Sequence, residues 1–273
     1  MKQRTVLYAA IMMIAILLLP GQANSQNLEV VGQAKITVMN TDNTADQVVV
    51  QQTDGMLAVR SASSLSGGST GNYGTVVNPL TGKVWLDRNL GASQVAASST
   101  DFASYGDLYQ WGRNADGHQT IVWSTSNSSD GAEQSNETTS LASNYFTTGG
   151  NFITGSSNWL SNVETHMWSG TAAENNPCPS GFRVPTAAEW EQERLTWAPD
   201  NNAAGAFASP LKLPLAGYRN LSDGSLSFVG ASGYYWSSTV SGSVARNLVF
   251  LSSNASMLTF GRAYGFAVRC LKD

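Results

Sequence analysis

This 273-residue chain is short of charge, cysteine and histidine. Charged side chains make up 12% of it, about half the ~25% of an ordinary globular protein. With 15 Lys and Arg against 19 Asp and Glu, the formal net charge is −4. Such a chain lacks the basic field that nucleic acid or an anionic membrane requires, so no nucleic-acid partner is expected. The two histidines, His118 and His166, stand far apart with no HxxxH or CxxC companion, which leaves zinc without a ligand set. Each reads as a loop or surface histidine. A Ser-His-Asp triad has equally little material, and no Gly-x-Ser-x-Gly elbow follows an apolar strand. No metal, cofactor or catalytic residue is assigned.

Long apolar runs are also scarce. The exception, Val6 to Leu19, follows Lys2 and Arg4 and is broken by Pro20-Gly21, with Ala23 and Ser25 placed for a signal peptidase. This is the pattern of a cleaved signal peptide over residues 1–25. The run is shorter than the ~20 residues a spanning helix needs, and no later segment reaches that length. No cysteine follows the cleavage site, so a lipid anchor is not expected. The mature chain is expected to be secreted or held at the cell surface.

What is abundant is serine: 34 residues, as many as all charged residues together. A surface coated by Ser, Thr, Asn, Gln and Gly suits an extracellular, loop-rich β protein and argues against a helical cytosolic enzyme. The only cysteines, Cys178 and Cys270, are expected to form one disulfide in an exported chain.

Residues 26–65 read as a small β module. Val30, Ala34, Ile36 and Val38 alternate with polar residues, and Val48–Val50 meets Met56–Val59 across Thr53-Asp54-Gly55, a hairpin turn signal. So few large apolar side chains cannot build an independent core. The module is expected to pack on the main domain or on copies of itself, and it resembles the short β segments before trimeric fibre heads. A homotrimer through residues 26–65 is one expectation. A Gly/Ser-rich linker covers residues 66–74.

Residues 75–273 are long enough for one domain. Val84-Trp85-Leu86 reads as a strand, and the aromatic-dense Phe102–Trp111 stretch as a short helix. Asn114–Glu164 reads as a loop-dominated insertion. The clearest helix is residues 187–197, where Thr186 and Glu189 make a T-x-x-E capping box. Trp190, Arg194 and Trp197 then share one helix face. Short strands are expected at Gly233–Ser237, Ala245–Leu251, Met257–Phe260 and Tyr264–Leu271, the last with Tyr264, Phe266, Val268 and Cys270 on its core face.

Six blocks in order carry a resemblance: Trp85–Ala92, Tyr105–Arg113, Cys178–Thr186, Leu213–Arg219, Tyr235–Ser238 and Arg262–Cys270. Together they resemble the Fibrobacter succinogenes major paralogous domain over about residues 73–273. Proteins of that family are typically exported bacterial surface proteins. The resemblance implies an α+β, C-type-lectin-like or formylglycine-generating-enzyme-like fold with short twisted antiparallel strands, about two helices and long loops. Some relatives of that fold serve as display scaffolds.

Calcium-bridged sugar binding needs clustered carboxylates, yet Asn201–Cys270 holds one acidic residue, Asp223, against Lys212, Arg219, Arg246, Arg262 and Arg269. Asp101, Asp107, Asp116 and Asp130 are scattered through loops. An oxidase of the formylglycine-generating type would need two reactive cysteines, a role that a structural disulfide precludes. A glycosidase would need two flanking carboxyls. Asp87 and Asp107 are available, although Asp87 beside Arg88 reads as a structural ion pair. Recognition remains. Trp236, Arg246, Asn247, Asn254, Arg262 and Tyr264, interleaved with serines, suit contact with a glycan or a surface protein. Trp236 and Tyr264 read equally well as core, whereas Asn247 and Asn254 are expected to be exposed. The expected function is a non-catalytic binding or adhesion module, with an oxidase or glycan-acting enzyme as the competing class.

Overall fold

The computed structural model describes residues 73–123, 137–142, 150–162, 164–170 and 173–273, and the backbone of strand segments 47–51, 57–61 and 132–133. The expected signal peptide, the strand through Val30 and Val38, Asp130 and most of the linker lie outside the described residues.

Strands dominate, in short pieces. β1 (Gln47–Gln51) pairs antiparallel with β2 (Leu57–Ser61), the pairing expected of these two runs, while the Asp54-Gly55 turn lies outside the described residues. The chain ends meet in a four-stranded sheet ordered β10 (Phe182–Arg183), β17 (Leu271–Lys272), β4 (Val84–Leu86), β3 (Thr75–Val77). A second sheet runs β12 (Leu226–Ser227), β11 (Tyr218–Arg219), β16 (Gly265–Phe266), β5 (Tyr109–Gln110). The third holds the long strands β13 (Gly233–Ser241), β14 (Val244–Phe250) and β15 (Ala255–Gly261). Within the 114–164 stretch, β6 (Val122–Trp123) pairs with β7 (Ala132–Glu133), and β8 (Glu137–Thr138) runs parallel to β9 (Phe152–Ile153).

Among the described residues two α-helices accompany the sheets. α1 (Ala187–Leu195) starts at the capping box: Thr186 Oγ1 accepts from Glu189 N at 3.2 Å, and Thr186 N donates to Glu189 Oε2 at 2.8 Å. Its Trp190 and the following Trp197 are buried. α2 (Ala203–Ala208) is capped by Asn202.

The β13–β14–β15 sheet is covered on both faces, because alternate residues of a strand point to opposite sides. Tyr235, Leu248 and Phe250 join Trp85, Trp190 and Trp197 in one cluster. Tyr234, Trp236, Ala245 and Val249 join Trp111, Trp159 and Phe266 in the other. The described residues of the 114–164 stretch are mostly loop, as expected, yet they supply Phe152, Ile153, Trp159 and Leu160 to the core.

Two local readings are corrected. Phe102–Trp111 is not a helix but a single 3₁₀ turn, Phe102–Ser104, followed by β5. The breaker is Gly106, at φ +72°, where a Cβ would stand 2.2 Å from Leu90 O. Tyr264–Leu271 is likewise not one strand but two short ones, β16 and β17, separated by residues 267–270. Its core face is the expected one: Phe266, Val268 and Cys270 are buried in one cluster with Tyr264 packed against it, while Ala267 and Leu271 join the other.

Cys178 and Cys270 are disulfide-bonded across 92 residues of chain. Beside the bridge, Leu86 N donates to Cys270 O at 2.9 Å. Removing the bridge with Cys178→Ser and Cys270→Ser together should cost roughly 4–5 kcal/mol by loop-closure entropy. Urea unfolding of the double variant against the parent, with a non-reducing gel shift, measures this.

Candidate functional site

The structure separates the six residues read as a ligand face. Trp236 is fully buried, its Nε1 donating to Tyr109 O at 2.7 Å. Arg262 is also fully buried; it donates to Glu164 O and to Gly242 O and lies 4.6 Å from the Trp111 ring centroid. Asn247, expected at the surface, is buried between Trp236 and Leu258, its direct partners on β13 and β15. Neither amide atom of Asn247 has a hydrogen-bond partner among the described residues. Tyr264 is half-buried in a ring cluster, and Asn254 is exposed in the β14–β15 turn. The reason is the doubly covered sheet: alternation sends polar positions into a second core rather than to solvent.

Of the six, Arg246 lines an open groove. The groove, of about 700 Å³, lies between the first turns of α1 and the outer sheet, lined by Thr186, Ala187, Ala188, Glu191, Arg194, Thr239, Arg246, Ser256 and Met257. Register puts Arg246 on the same sheet face as Leu248 and Met257, turned toward the helix. Arg194 clamps Glu191 through two hydrogen bonds of 2.8 and 2.5 Å and reaches Asn201 Oδ1 at 2.5 Å. The Arg194 fork, with Arg246 further off, holds the Glu191 carboxyl below its ordinary range. Thr239 Oγ1 accepts from Ala187 N, and the Thr186 hydroxyl donates to Glu189 Oε2. Arg246 makes no ion pair among the described residues, and its buried Nε has no hydrogen-bond partner there. Two guanidinium groups against one carboxylate leave the groove one positive charge in excess.

The remaining titratable groups gather elsewhere. His118 lies in a loop, one of the two placements expected, but is fully buried there rather than at the surface. Its Nε2 accepts from Gln110 N at 3.0 Å and its Nδ1 contacts Asp116 Oδ1 at 2.5 Å, so the neutral ring donates from Nδ1. Burial and the neighbouring Arg113 push His118 down to about 4. Burial alone would raise Asp116, but His118 and Arg113 outweigh it and hold the carboxyl far below its usual range. Asp107 goes the other way: desolvation lifts it to about 7, only partly offset by a backbone hydrogen bond from Ile121. Asp87 is bound by Arg88 at 3.0 and 3.1 Å, the ion pair read from the sequence. Among the described residues no three His, Cys, Asp or Glu side chains gather as a metal set would.

Nothing local marked the groove. Glu191 and Arg194 sit three apart on a recognisable helix, but their alignment with Thr239, Ser256 and Met257 comes from packing across long sequence separations. No known family model, curated protein or solved structure matches the chain.

Two outcomes follow from these environments. As pH falls from about 6.5 to 4, the unfolded chain takes up the His118 proton that the folded chain refuses, so that share of stability is lost with acidification. As pH rises from about 4 to 7, the unfolded chain releases the Asp107 proton that the folded chain keeps, so that share is lost on the alkaline side. The two oppose. In Asp107→Asn only the His118 dependence stays, and its melting temperature should climb more steeply between pH 4 and 6.5 than the parent's, by a few degrees in a thermal-shift series. Separately, Asn247→Leu removes an unpaired buried amide from an apolar site and should raise stability by about 1–3 kcal/mol in denaturant titration.

Proposed function

We propose that residues 75–273 form a C-type-lectin-like domain of an exported surface protein that recognises a glycan or protein ligand without chemistry of its own. The observation that carries this reading is Arg246, a guanidinium with an unpartnered buried Nε in an open groove that holds an excess positive charge. A guanidinium left without a carboxylate is a fork for one, and carboxylate or phosphate groups match its geometry. The groove therefore suits an acidic group on its ligand.

The groove chemistry favours binding over catalysis. Of its hydroxyls, Thr186 donates to Glu189, a carboxylate gripped on both oxygens by Arg183, while Thr239 and Ser256 have Glu191 as the carboxylate lining the same space. Glu191 is clamped by Arg194, and both carboxylates are held below their ordinary range. A base so stabilised is a weak one, and an unactivated hydroxyl is a poor nucleophile.

Export is supported by the N-terminal pattern and by the disulfide, which persists outside the reducing cytosol. No helix among the described residues is long and apolar enough to cross a membrane. The six ordered blocks that resemble the Fibrobacter succinogenes major paralogous domain support a surface role.

The test is an array of acidic and neutral glycans and peptides probed with the parent and with Arg246→Gln. Arg246 is partly exposed and unpaired, so the variant should melt with the parent while losing at least tenfold in affinity for acidic ligands. Equal binding by both proteins would remove the groove from the proposal.

A further inference from the structure

A second surface lies on the other side of the β13–β14–β15 sheet. Register places Tyr234 and Phe260 on the face opposite Arg246 and Met257. There Tyr218 is the hub of a cluster of rings. It contacts Tyr234 at 4.9 Å, Tyr264 at 5.5 Å and Phe228 at 5.9 Å between centroids. Tyr218 and Phe228 are stacked, 27° apart, and the other two meet Tyr218 edge-on. Phe260 closes the cluster against Tyr264 and Tyr234.

Three features set this cluster apart from ordinary core. Phe228 is 58% exposed although one face of its ring rests on Tyr218, so the other face is open to solvent. Its backbone stands at φ +56°, a left-handed conformation that a bulky L-residue adopts only when its surroundings impose it. The surroundings do impose it. Phe228 O accepts from Ala231 N and Ser232 N at 3.0 and 3.1 Å, and Gly230 N is tied to Leu215 O at 2.8 Å. Gly217, itself at φ +64°, lets the turn press close, since a Cβ there would stand 2.3 Å from Ser227 O. Any glycine or asparagine would satisfy that backbone at lower cost; the chain carries an exposed phenylalanine instead. Finally, no hydrogen bond joins the hydroxyls of Tyr218, Tyr234 and Tyr264 to a described residue, and burial first, with the neighbouring Tyr218 and Tyr264 phenols adding to it, raises Tyr234. Their rings adjoin, with Tyr218 and Tyr264 half-buried and Tyr234 beneath them at 8% exposure.

We infer that Phe228, Tyr218, Tyr234 and Tyr264 form a carbohydrate-binding platform for a neutral pyranose of a polysaccharide chain. The open ring face stacks on the apolar C–H face of a sugar, and the hydroxyls of the half-buried Tyr218 and Tyr264 bond to its hydroxyl groups over Tyr234. Rings of this kind give rigid contact area at little entropic cost. No member of the cluster is charged, which fits a neutral sugar and separates this surface from the groove. Size decides against a protein partner. One open ring and the edges of three others offer a few hundred Å² at most, against roughly 800 Å² per side of a standard protein interface.

The experiment is affinity electrophoresis of the purified full chain in gels cast with xylan, β-glucan or galactomannan, with a peptide array alongside. Three proteins are compared: the parent, Phe228→Asn and Arg246→Gln. Asparagine tolerates the left-handed backbone, so Phe228→Asn should melt at or above the parent's temperature. It should bind the retarding polysaccharide at least tenfold more weakly, while Arg246→Gln is retarded as the parent is. The platform is overturned if no neutral polysaccharide retards the parent, or if Phe228→Asn is retarded equally. It is also overturned if Arg246→Gln loses the same binding, which would make groove and platform one site, or if Phe228→Asn loses only peptide binding. A failure of acidic-ligand binding in Arg246→Gln bears on the groove alone.

Discussion

Four buried arginines hold this fold together by bonding the carbonyls of its loops. Arg269 donates to Leu211 O at 2.7 Å and twice to Asn89 Oδ1 at 3.1 and 3.0 Å. Arg219 donates to Gly224 O, His118 O and Glu137 Oε1, and Arg113 to Asn151 O, Gln110 Oε1 and Asp116. Arg262 takes Glu164 O and Gly242 O. A domain built from two-residue strands leaves many backbone carbonyls outside any ladder, and buried ones must still be paired. A guanidinium, with five donors in a fixed fork, satisfies several at once. Desolvation lowers the proton affinity of all four, Arg269 to about 10. That burden is offset by the number of bonds each makes and by rings beneath them, Phe152 under Arg219 at 4.0 Å and Trp111 under Arg262 at 4.6 Å.

Around Arg269 the network joins distant parts of the chain. Asn89 Nδ2 donates to Tyr105 O and to the Tyr235 hydroxyl, which in turn donates to Pro214 O. One residue on, Cys270 is bridged to Cys178, and β17 pairs with both β4 and β10. The C-terminal segment thus closes the fold covalently, through a ladder and through a buried charge. This rigid centre leaves the two faces of the long sheet to differ in what they offer. One carries a charged groove at its helix, the other an uncharged cluster of rings.

Legibility followed the range of the forces involved. The capping box at Thr186 and Glu189 and the tryptophan spacing behind it are local, and the helix they announced is present. The long strands β13, β14 and β15 carry enough residues for their pattern to register, as do the paired five-residue strands β1 and β2. The two-residue strands have no period to read. Phe102–Trp111 misled because aromatic spacing looked helical while one glycine, Gly106, decided the backbone. The ligand face misled for a different reason. A polar residue on a strand was taken as a sign of solvent, but Asn247 and Arg262 lie under a second layer that the strand itself does not encode. Arg246 was anticipated for its chemistry; its groove partners on α1 were not, since they lie over fifty positions away.

By itself, then, the sequence determined the coarse class of the protein: a mixed α and β chain dominated by short strands, one helix with its first turn, and a single disulfide from its only two cysteines. These depend on neighbours along the chain or on simple counting. Which arginines are rivets and which is left free, which phenylalanine is held out into solvent, and which polar residues are buried were decided by tertiary structure alone. Each is a matter of what lies across the fold from a side chain, and burial cost, pairing and backbone strain exist only once that distant partner is in place.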